Sequence, residues 1–341
     1  MNKIKTRLSQ STACAESVLL SALLLLLSVI LSFPLATFAG DEPGEPRHFF
    51  KLENHRPDEV NFDCDHAERH QTLGDFLSHL NPDHPHTIRV SGACNENLVI
   101  AGFYRLTLLA TPGASINDAS GGTLAVIDVS NTSQFDFEGF TVNGGRGGIN
   151  CVEFSTCFFS ANTVQNSAAD GVFVSRSQAG FHGDTIAFHA SRGLVVANGG
   201  LAFADSVTVQ NNVGLGSAVV SGGNLSFLNS VIEGNLGTGI VVSNHSTLRV
   251  AGSTIRENAG AGIFASGNSE VWVENLTGPS NAITHNAGPG VRLADLSFVQ
   301  FTPGNNVTGN AGIDVSCAPQ FPATRGALAN IGGGTTNCIE P

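Results

Sequence analysis

An apolar position recurs about every 23 residues through most of the chain, nearly always between polar or small residues. These positions are Val142, Val164, Ile186, Val209, Ile232, Ile255, Ile283 and Val307. The last six steps between them are 22, 23, 23, 23, 28 and 24 residues. A unit of this length cannot bury an apolar face alone, so the pattern predicts stacked units that share one continuous core.

Apolar and polar residues alternate in short runs within each unit, which predicts strands. One run surrounds the recurring position, a second follows a glycine, and a third is exemplified by Leu225–Phe227 and Val271–Val273. Three short strands per unit, each paired in parallel with its counterparts in neighbouring units, satisfy the backbone and close the core.

Asparagine and glycine hold fixed places in the unit. Asparagine stands three residues after the apolar position in five successive units: Asn212, Asn235, Asn258, Asn286 and Asn310. We interpret this row as a structural ladder at a turn, the alternative being a set of sugar ligands. Glycine stands seven residues after the apolar position at Gly171, Gly193, Gly216, Gly239, Gly262 and Gly290, where we expect a second bend.

Units such as TVQNSAADGVFV, TIRENAGAGIFA and AITHNAGPGVRL resemble those of right-handed parallel β-helix proteins, the pectate-lyase-like superfamily. The upstream stretch TIRVSGACNENLVIAGF resembles the opening coils of exported bacterial members. The resemblance implies an all-β fold, a single right-handed parallel β-helix of about ten coils. Its expected bounds are residues 87–316.

The flanking segments have different patterns. Residues 63–86 contain Leu73, Phe76, Leu77 and Leu80 on one helical face after Thr72, which predicts an N-terminal capping helix. We expect residues 40–62 to form an extended arm and residues 317–341 to form a C-terminal tail held by a disulfide.

The first 39 residues have the pattern of a secretory signal peptide. Three basic residues precede the apolar run Val18–Leu31, and small residues end at Ala39. An uncleaved membrane anchor is the alternative. Cleavage at Ala39 predicts a secreted, periplasmic or cell-surface protein.

Six cysteines remain after the leader, and an even number in an exported chain favours disulfides over a zinc site. Sequence neighbours suggest Cys64–Cys94, Cys151–Cys157 and Cys317–Cys338, one of fifteen possible pairings.

The net charge of the chain excludes some classes of binding partner. The chain holds 16 basic and 28 acidic residues, a formal net charge of −12. An acidic surface repels phosphate backbones, which excludes nucleic acid as an expected partner. It also repels an acidic polysaccharide unless Ca²⁺ or a local basic groove intervenes.

The resemblance implies a superfamily that contains polysaccharide lyases and hydrolases as well as adhesins, so fold does not decide function. The family strings WIDH, RxPxxR and DPHE are absent from this sequence. Asp170, His189 and Arg192 follow the turns of consecutive units and are the candidate catalytic acid, base and cation. The alternative is that they are solvated turn residues, with His189 replacing a ladder asparagine.

Asp136 and Glu138 alternate with two phenylalanines and so share one face. With Glu153 they form a candidate metal site, with Ca²⁺ as the possible ion. No other cofactor is expected, and the loop lacks the DxDxDG pattern of a Ca²⁺ loop.

An apolar stripe faces outward. Two residues after the repeated glycine stand Phe173, Val195, Ala218, Val241 and Phe264, and all but Ala218 have apolar residues on both sides. Since strand residues alternate between faces, one apolar set must point away from the core. Cover by the arm or the tail, or contact with a partner or another copy, would explain it.

These observations favour a secreted or cell-surface β-helix protein with a non-catalytic structural or binding role, and a polysaccharide or surface glycan as ligand. The alternative is a polysaccharide lyase, or another carbohydrate-active enzyme, on an acidic polysaccharide. Membrane contact is expected only through an uncleaved leader.

Overall fold

A computed structural model describes residues 59–66, 72–275, 278–318 and 328–338. These residues belong to one compact unit that begins at Asn54. The expected signal peptide and most of the expected arm lie outside the described residues. Among the described residues, no helix has the length and apolar character needed to cross a membrane.

Apart from two short helices, the regular secondary structure of the described residues is β-strand. The first strands are β1 Glu59–Asp63, β2 Pro85–Ser91, β3 Ala93–Asn95, β4 Leu98–Ala101, β5 Arg105–Ala110, β6 Ser115–Asn117, β7 Ile127–Ser130, β8 Phe135–Glu138, β9 Thr141–Asn143 and β10 Ile149–Val152. They are followed by β11 Thr156–Ser160, β12 Thr163–Gln165, β13 Val172–Ser175, β14 Gln178–His182, β15 Thr185–Ala187, β16 Leu194–Ala197, β17 Leu201–Asp205, β18 Thr208–Gln210, β19 Ser217–Val220 and β20 Asn224–Leu228. The last are β21 Val231–Glu233, β22 Ile240–Ser243, β23 Thr247–Ala251, β24 Thr254–Arg256, β25 Ile263–Ser266, β26 Glu270–Glu274, β27 Ala282–Thr284, β28 Val291–Leu293, β29 Phe298–Phe301, β30 Asn306–Thr308 and β31 Val315–Cys317.

The strands form three parallel sheets that wrap around one core. Sheet A has 11 strands from β1 to β29, sheet B has 10 from β3 to β30, and sheet C has 10 from β4 to β31. Within each sheet every strand pairs with the strand one coil away, as β12 pairs with β9 and β15. The predicted right-handed parallel β-helix of about ten coils is therefore confirmed, with coils about 4.8 Å apart.

Inward side chains fill the core in rows. The recurring apolar positions Val142, Ile186, Val209, Ile232, Ile255 and Ile283 are completely buried. Phenylalanines fill the early coils, where Phe137 stacks on Phe140 with ring centroids 4.3 Å apart. Burial of this continuous apolar surface is the main driving force for stacking the coils.

The N-terminal end of the core is covered by helix α1, which spans Leu73–Ser78. Thr72 and Asp75 form a reciprocal capping box, and Leu73 and Leu77 are buried in the core cluster. At the other end a short 3-10 helix spans Leu328–Ile331, with Ile331 also in the core cluster.

All three expected disulfides are present. Cys64–Cys94 joins the residue after β1 to β3, and Cys151–Cys157 joins β10 to β11. Cys317–Cys338 ties the tail to β31. Each bond therefore fixes an end or a corner of the solenoid, and three disulfides are typical of exported proteins.

The asparagine ladder is confirmed at the corner between sheets B and C. The Oδ1 of Asn258 accepts from the backbone N–H of Asn235 at 3.2 Å and from its side-chain amide at 2.9 Å. The Nδ2 of Asn258 donates to Oδ1 of Asn286 at 2.9 Å and to the carbonyl of Ile232 at 3.2 Å. Each amide thus satisfies buried groups on both neighbouring coils.

Two details of this corner differ from expectation. The left-handed residue is not the ladder asparagine but the one before it, such as Asn211 with φ 55° or Glu257 with φ 56°. The repeated glycines are not left-handed either. A Cβ on Gly193 would lie 2.8 Å from Nδ2 of Asn212 and 2.6 Å from the carbonyl oxygen of Gly216, so close approach to the ladder excludes a side chain there.

Polar ladders also stabilise the other two corners. Between sheets A and B the backbone N–H of Asn162 donates to Asp184 and that of Ser230 to Ser253. Between sheets C and A, the backbone N–H of Ser246 donates to the Oγ of Ser269 on the next coil. These two ladders mix serine, threonine, asparagine and aspartate, and the sequence analysis did not identify them.

Candidate functional site

His189, the candidate base, lies inside the ladder corner and is completely buried. Its Nδ1 accepts from the backbone N–H of Ser167 at 3.1 Å, and its Nε2 lies 3.1 Å from the carbonyl oxygen of Val164. These contacts fit a neutral ring that carries its proton on Nε2. Burial lowers the pKa of His189 from 6.5 to about 4, which keeps the ring neutral at pH 7.

The ring of His189 therefore makes the hydrogen bonds that an asparagine makes elsewhere in the ladder. Its Nδ1 replaces the amide oxygen, and its Nε2–H replaces the amide N–H that elsewhere donates to a carbonyl, as Nδ2 of Asn235 does to Val209. Both nitrogens are occupied by the backbone, and none of the ring faces solvent. General-base catalysis needs a nitrogen within reach of substrate, so it would require this corner to open.

Asp170 and Arg192, the other two candidate catalytic residues, pair with each other across one coil. The guanidinium donates from Nε to Oδ1 at 2.8 Å and from Nη2 to Oδ2 at 2.6 Å. This hydrogen bonding to Asp170 raises the pKa of Arg192. The acid and the cation thus neutralise each other in a bidentate pair at the corner surface.

Sheet A presents the widest outward face, because most of its strands have five or more residues, whereas the strands of sheet B have three. Asp136 and Glu138 lie on this face in β8, two residues apart. Asp136 is half-buried and accepts from Thr107 at 3.2 Å and Gln134 at 2.8 Å. Burial raises the pKa of Asp136, while Glu138 is exposed.

Glu153 lies elsewhere, at the turn between sheets C and A, where its carboxylate is 3.9 Å from Arg176. Among the described ranges, no group of three His, Cys, Asp or Glu side chains could hold a metal ion. The structure therefore does not assemble Asp136, Glu138 and Glu153 into the expected set, because Glu153 follows β10 whereas the other two lie in β8. A role for Ca²⁺ remains a prediction.

Aromatic and polar side chains line the middle of the same outward face. Following the register from coil to coil, this column runs through Asp136, Phe158, Gly180, Phe203, Ser226, Arg249, Trp272 and Gln300. Phe158 and Phe203 are two coils apart, about 10 Å, and Phe203 and Trp272 are three coils apart, about 14 Å. We call this set the aromatic column.

Polar side chains flank the aromatic column, interspersed with apolar ones such as Leu201 and Phe298. His182 lies 3.4 Å from Asp205 on the next coil, and Arg249, within the column, forms an ion pair with Glu274 at its side. Trp272 is half-buried, and its ring packs edge-on against Phe298 with centroids 6.2 Å apart. A long flat face with apolar rings and flanking hydrogen-bonding groups suits a flexible polar polymer that has apolar patches.

Asp184, the carboxylate of the FHGD string beside His182, points inward. It accepts from the N–H of Asn162 at 2.8 Å, from its amide at 2.9 Å and from the N–H of His182 at 3.0 Å. Burial raises the pKa of Asp184 to about 6. Like His189, it is a titratable residue that serves as a ladder member.

The predicted apolar stripe lies on sheet C. Phe173, Val195, Ala218, Val241 and Phe264 pair in register on five successive coils. The described end of the arm is β1 in sheet A, and the described tail residue Thr336 bridges to Val315 at the last coil. Neither of these described segments lies over the stripe.

The aromatic column was missed by the sequence analysis. Its members stand at the central outward position of the third strand in their coils, but glycine, serine and arginine occupy that position in the intervening coils. Aligning the third strands by the register of their neighbours would have placed Phe158, Phe203 and Trp272 on one line. No single unit carries the signal.

One family model and one solved structure support the fold. The family described as "Right handed beta helix region" matches residues 125–277. The A-module of mannuronan C-5 epimerase AlgE6 from Azotobacter vinelandii is similar at 16% identity, with a TM-score of 0.55, over 67% of this chain and 70% of that one. The A-module of the AlgE4 epimerase from the same organism is 12% identical, with a TM-score of 0.44, over 70% of this chain and 90% of that one. A sequence comparison with characterised proteins gives no match.

Proposed function

We propose that this chain is an exported, non-catalytic β-helix protein that binds a glycan along the outward face of sheet A. The observation that carries the proposal is the aromatic column, in which rings and hydrogen-bonding side chains follow one line across eight coils. The AlgE6 A-module, which shares the fold, acts on mannuronan by its name, so the scaffold is compatible with a polysaccharide ligand.

The charge of the face favours a neutral glycan over a uronate. On this face Arg89 and Arg249 are each engaged by a carboxylate of a neighbouring strand, Glu59 and Glu274. Asp136 and Glu138 add negative charge to the face, and the whole chain carries a net charge of −12. A polyuronate would meet repulsion there, whereas a neutral polymer would not.

The buried state of His189 supports binding rather than turnover. The only histidine of the candidate catalytic group is neutral, hydrogen-bonded at both nitrogens and completely buried. The acid and the cation of that group form a bidentate pair with each other. Turnover would require these three residues to exchange structural contacts for contacts with substrate.

A panel of neutral and acidic polysaccharides tests both parts of the proposal. We expect affinity electrophoresis to show retardation of the native protein by a neutral glucan or mannan and none by polygalacturonate or polymannuronate. We expect no unsaturated uronate and no new reducing ends from any polymer, with or without Ca²⁺. Product from any polymer would contradict the non-catalytic proposal, and retardation only by uronates would contradict the choice of ligand.

If product appears, variants separate the two candidate catalytic groups. Asp170→Asn, His189→Asn and Arg192→Gln should each lower the rate 10²-fold or more if those residues transfer protons or stabilise charge. Rates that stay unchanged in all three would direct attention to Asp136, Glu138 and Glu153.

A further inference from the structure

The rings of the aromatic column are separated by whole numbers of coils, and each ring has accessible surface. Phe158 lies two coils before Phe203, and Trp272 lies three coils after it. These steps correspond to about 10 Å and about 14 Å along the solenoid axis. Phe203 is 42% exposed, and Phe158 and Trp272 are half-buried, so each side chain can contact a ligand.

Smaller or polar residues occupy the column positions between the rings. Gly180 stands between the first two rings, and Ser226 and Arg249 stand between the second and the third. The strands pair residue for residue through these coils, which keeps the rings on one line. A ligand that contacts all three rings must therefore be extended over about 24 Å and lie parallel to the solenoid axis.

The coil spacing also sets the repeat of the ligand. A sugar that is linked through equatorial bonds at C1 and C4 extends its chain by nearly the full length of the ring, which is close to the coil spacing of about 4.8 Å. An axial bond at C1 instead bends the chain into a helix that leaves a straight column. The column therefore fits a β-1,4-linked chain with one sugar over each coil.

The unequal steps between the rings select the configuration of the sugar. Neighbouring sugars of an extended β-1,4 chain are turned over relative to each other, so sugars an even number of positions apart show the sheet the same face. The sugars over Phe158 and Phe203 thus show one face, and the sugar over Trp272 shows the other. An aromatic ring stacks on C–H groups, and burying a hydroxyl against it is unfavourable, so both sugar faces must be apolar. Glucose and xylose meet this condition, whereas mannose and galactose carry an axial hydroxyl.

We propose that sheet A binds a β-1,4-linked chain of neutral sugars whose hydroxyl groups are all equatorial, as in cello-oligosaccharides and xylo-oligosaccharides. The chain lies parallel to the solenoid axis, and Phe158, Phe203 and Trp272 contact its first, third and sixth sugars. This inference rests on the proposed function and narrows its neutral glycan to one linkage and one sugar configuration.

Hydrogen-bonding side chains lie beside the column between its second and third rings. Asn224 and Thr247 precede Ser226 and Arg249 by two residues in β20 and β23, so they share the outward face with the column. Asn224 is exposed and Thr247 is half-buried. Equatorial hydroxyls leave the edge of a sugar ring in its own plane, so they point toward such a flank. Asn224 and Thr247 are placed to bind the hydroxyls of the fourth and fifth sugars.

Three hexasaccharides test the linkage and the configuration. Maltohexaose differs from cellohexaose in linkage alone, and β-1,4-mannohexaose differs in the axial hydroxyl at C2. We expect calorimetric titration of the native protein, with its disulfides intact, to show about 10-fold tighter binding of cellohexaose than of either other ligand. Equal affinities for the three would overturn the inference and leave sheet A as a glycan-binding face. Binding of none of them, while another neutral polymer still retards the protein, would also overturn it, whereas absence of all glycan binding would contradict the proposed function itself.

Two variants test the argument from the sugar faces. Only Trp272 meets the second face, so Trp272→Ala should bind cellohexaose and mannohexaose with nearly equal affinity. Phe203→Ala is the matched control, because Phe158 and Trp272 remain five coils apart and still contact opposite faces. It should bind both ligands more weakly and keep the preference for cellohexaose. A preference that survives unchanged in Trp272→Ala would overturn the inference.

The length of the ligand tests the register of one sugar per coil. The third ring is reached only by the sixth sugar, so wild-type affinity should rise about 10-fold from cellopentaose to cellohexaose. Trp272→Ala should lose this last rise, and Phe188→Ala, altered at a corner away from the column, should keep it. A rise of equal size in Trp272→Ala would contradict the proposed register.

Discussion

The corners and the outward faces of the same coils are built by different rules. At the corner between sheets B and C, asparagine recurs on five successive coils and is buried on each. On the outward face of sheet A, the central position changes from Phe158 to glycine, Phe203, serine, arginine and Trp272 over the same length of solenoid. The corners must satisfy the same buried backbone groups on every coil, whereas the faces meet solvent and are free to vary.

This difference separates stability from binding. A substitution at a corner leaves buried hydrogen-bond donors or acceptors unsatisfied on two coils. A substitution on an outward face replaces a side chain that contacts only solvent. Corner variants should therefore unfold more easily, and face variants should unfold normally but bind less.

Asn258→Leu should have the largest effect on stability. It removes the acceptor of two hydrogen bonds from Asn235 and the donor of bonds to Asn286 and Ile232. We expect the free energy of unfolding to fall by about 3 kcal/mol, because each unsatisfied buried group costs about 1–3 kcal/mol. Urea denaturation measures the change. Thr254→Val, an outward substitution on the strand of the same coil, is the control, and equal stability of the two variants would contradict the ladder.

The two titratable ladder residues should give opposite pH dependences. The pKa of His189 falls to about 4 on folding, so its contribution to stability is present above about pH 6.5 and is lost as the pH falls toward 4. The pKa of Asp184 rises to about 6, so stability is lost as the pH rises from about 4 to 6. In the native protein the two slopes oppose each other between pH 4 and 6.

Removing one residue should expose the slope of the other. Relative to wild type, the unfolding free energy of His189→Asn should fall as the pH rises from 4 to 6, and that of Asp184→Asn should rise. Either change in pKa on folding corresponds to roughly 3 kcal/mol of unfolding free energy at most. Urea midpoints at several pH values measure both slopes, and parallel curves for the three proteins would show that neither side chain is a buried ladder member.

Trp272→Ala should weaken glycan binding about 10-fold, which corresponds to about 1.4 kcal/mol, while the unfolding midpoint changes little. Phe203→Ala should act in the same direction. Phe188→Ala is the matched control, because Phe188 lies at the corner away from sheet A. Its exposed fraction, 53%, is similar to the 42% of Phe203. Equal losses of affinity in Phe203→Ala and Phe188→Ala would place the ligand elsewhere.

Glu233→Gln should have the smallest effect. Glu233 pairs with Arg256 across one coil at 2.7 Å on the surface of sheet B. Exposed ion pairs contribute about 0–1 kcal/mol to the free energy of unfolding. We therefore expect a small change in the unfolding midpoint, and a smaller one in high salt. A large loss of stability would show that surface pairs, rather than corners, hold the coils together.

The same contrast explains which features the sequence could predict. The recurring apolar position from Val142 to Val307 predicted the strands of sheet B, because each of these side chains stacks in the same buried row and must be apolar. The row from Asn212 to Asn310 predicted the ladder for the same reason. The other two corners were missed because Ser, Thr, Asn and Asp all provide the required oxygen, and Val207 interrupts one of them.

The candidate site was less predictable. Asp170, His189 and Arg192 are close in space, as expected, but burial and pairing are properties of the packed corner that spacing alone does not reveal. Glu153 was grouped with Asp136 and Glu138 by sequence proximity, although strands β9 and β10 lie between β8 and Glu153. The aromatic column depends on the register of strands about 23 residues apart, which only the stacked structure defines.

The fluorescence of Trp272 tests the central claim most directly, because the chain contains a single tryptophan and it lies in the aromatic column. Titration of the wild-type protein with a soluble neutral glycan should shift or quench its emission in a saturable way. The Phe203→Ala variant should require about 10-fold more ligand, and Phe188→Ala should match the wild type. Binding of a glycan with no change in the emission of Trp272 in any of the three proteins would contradict the assignment of sheet A as the ligand-binding face.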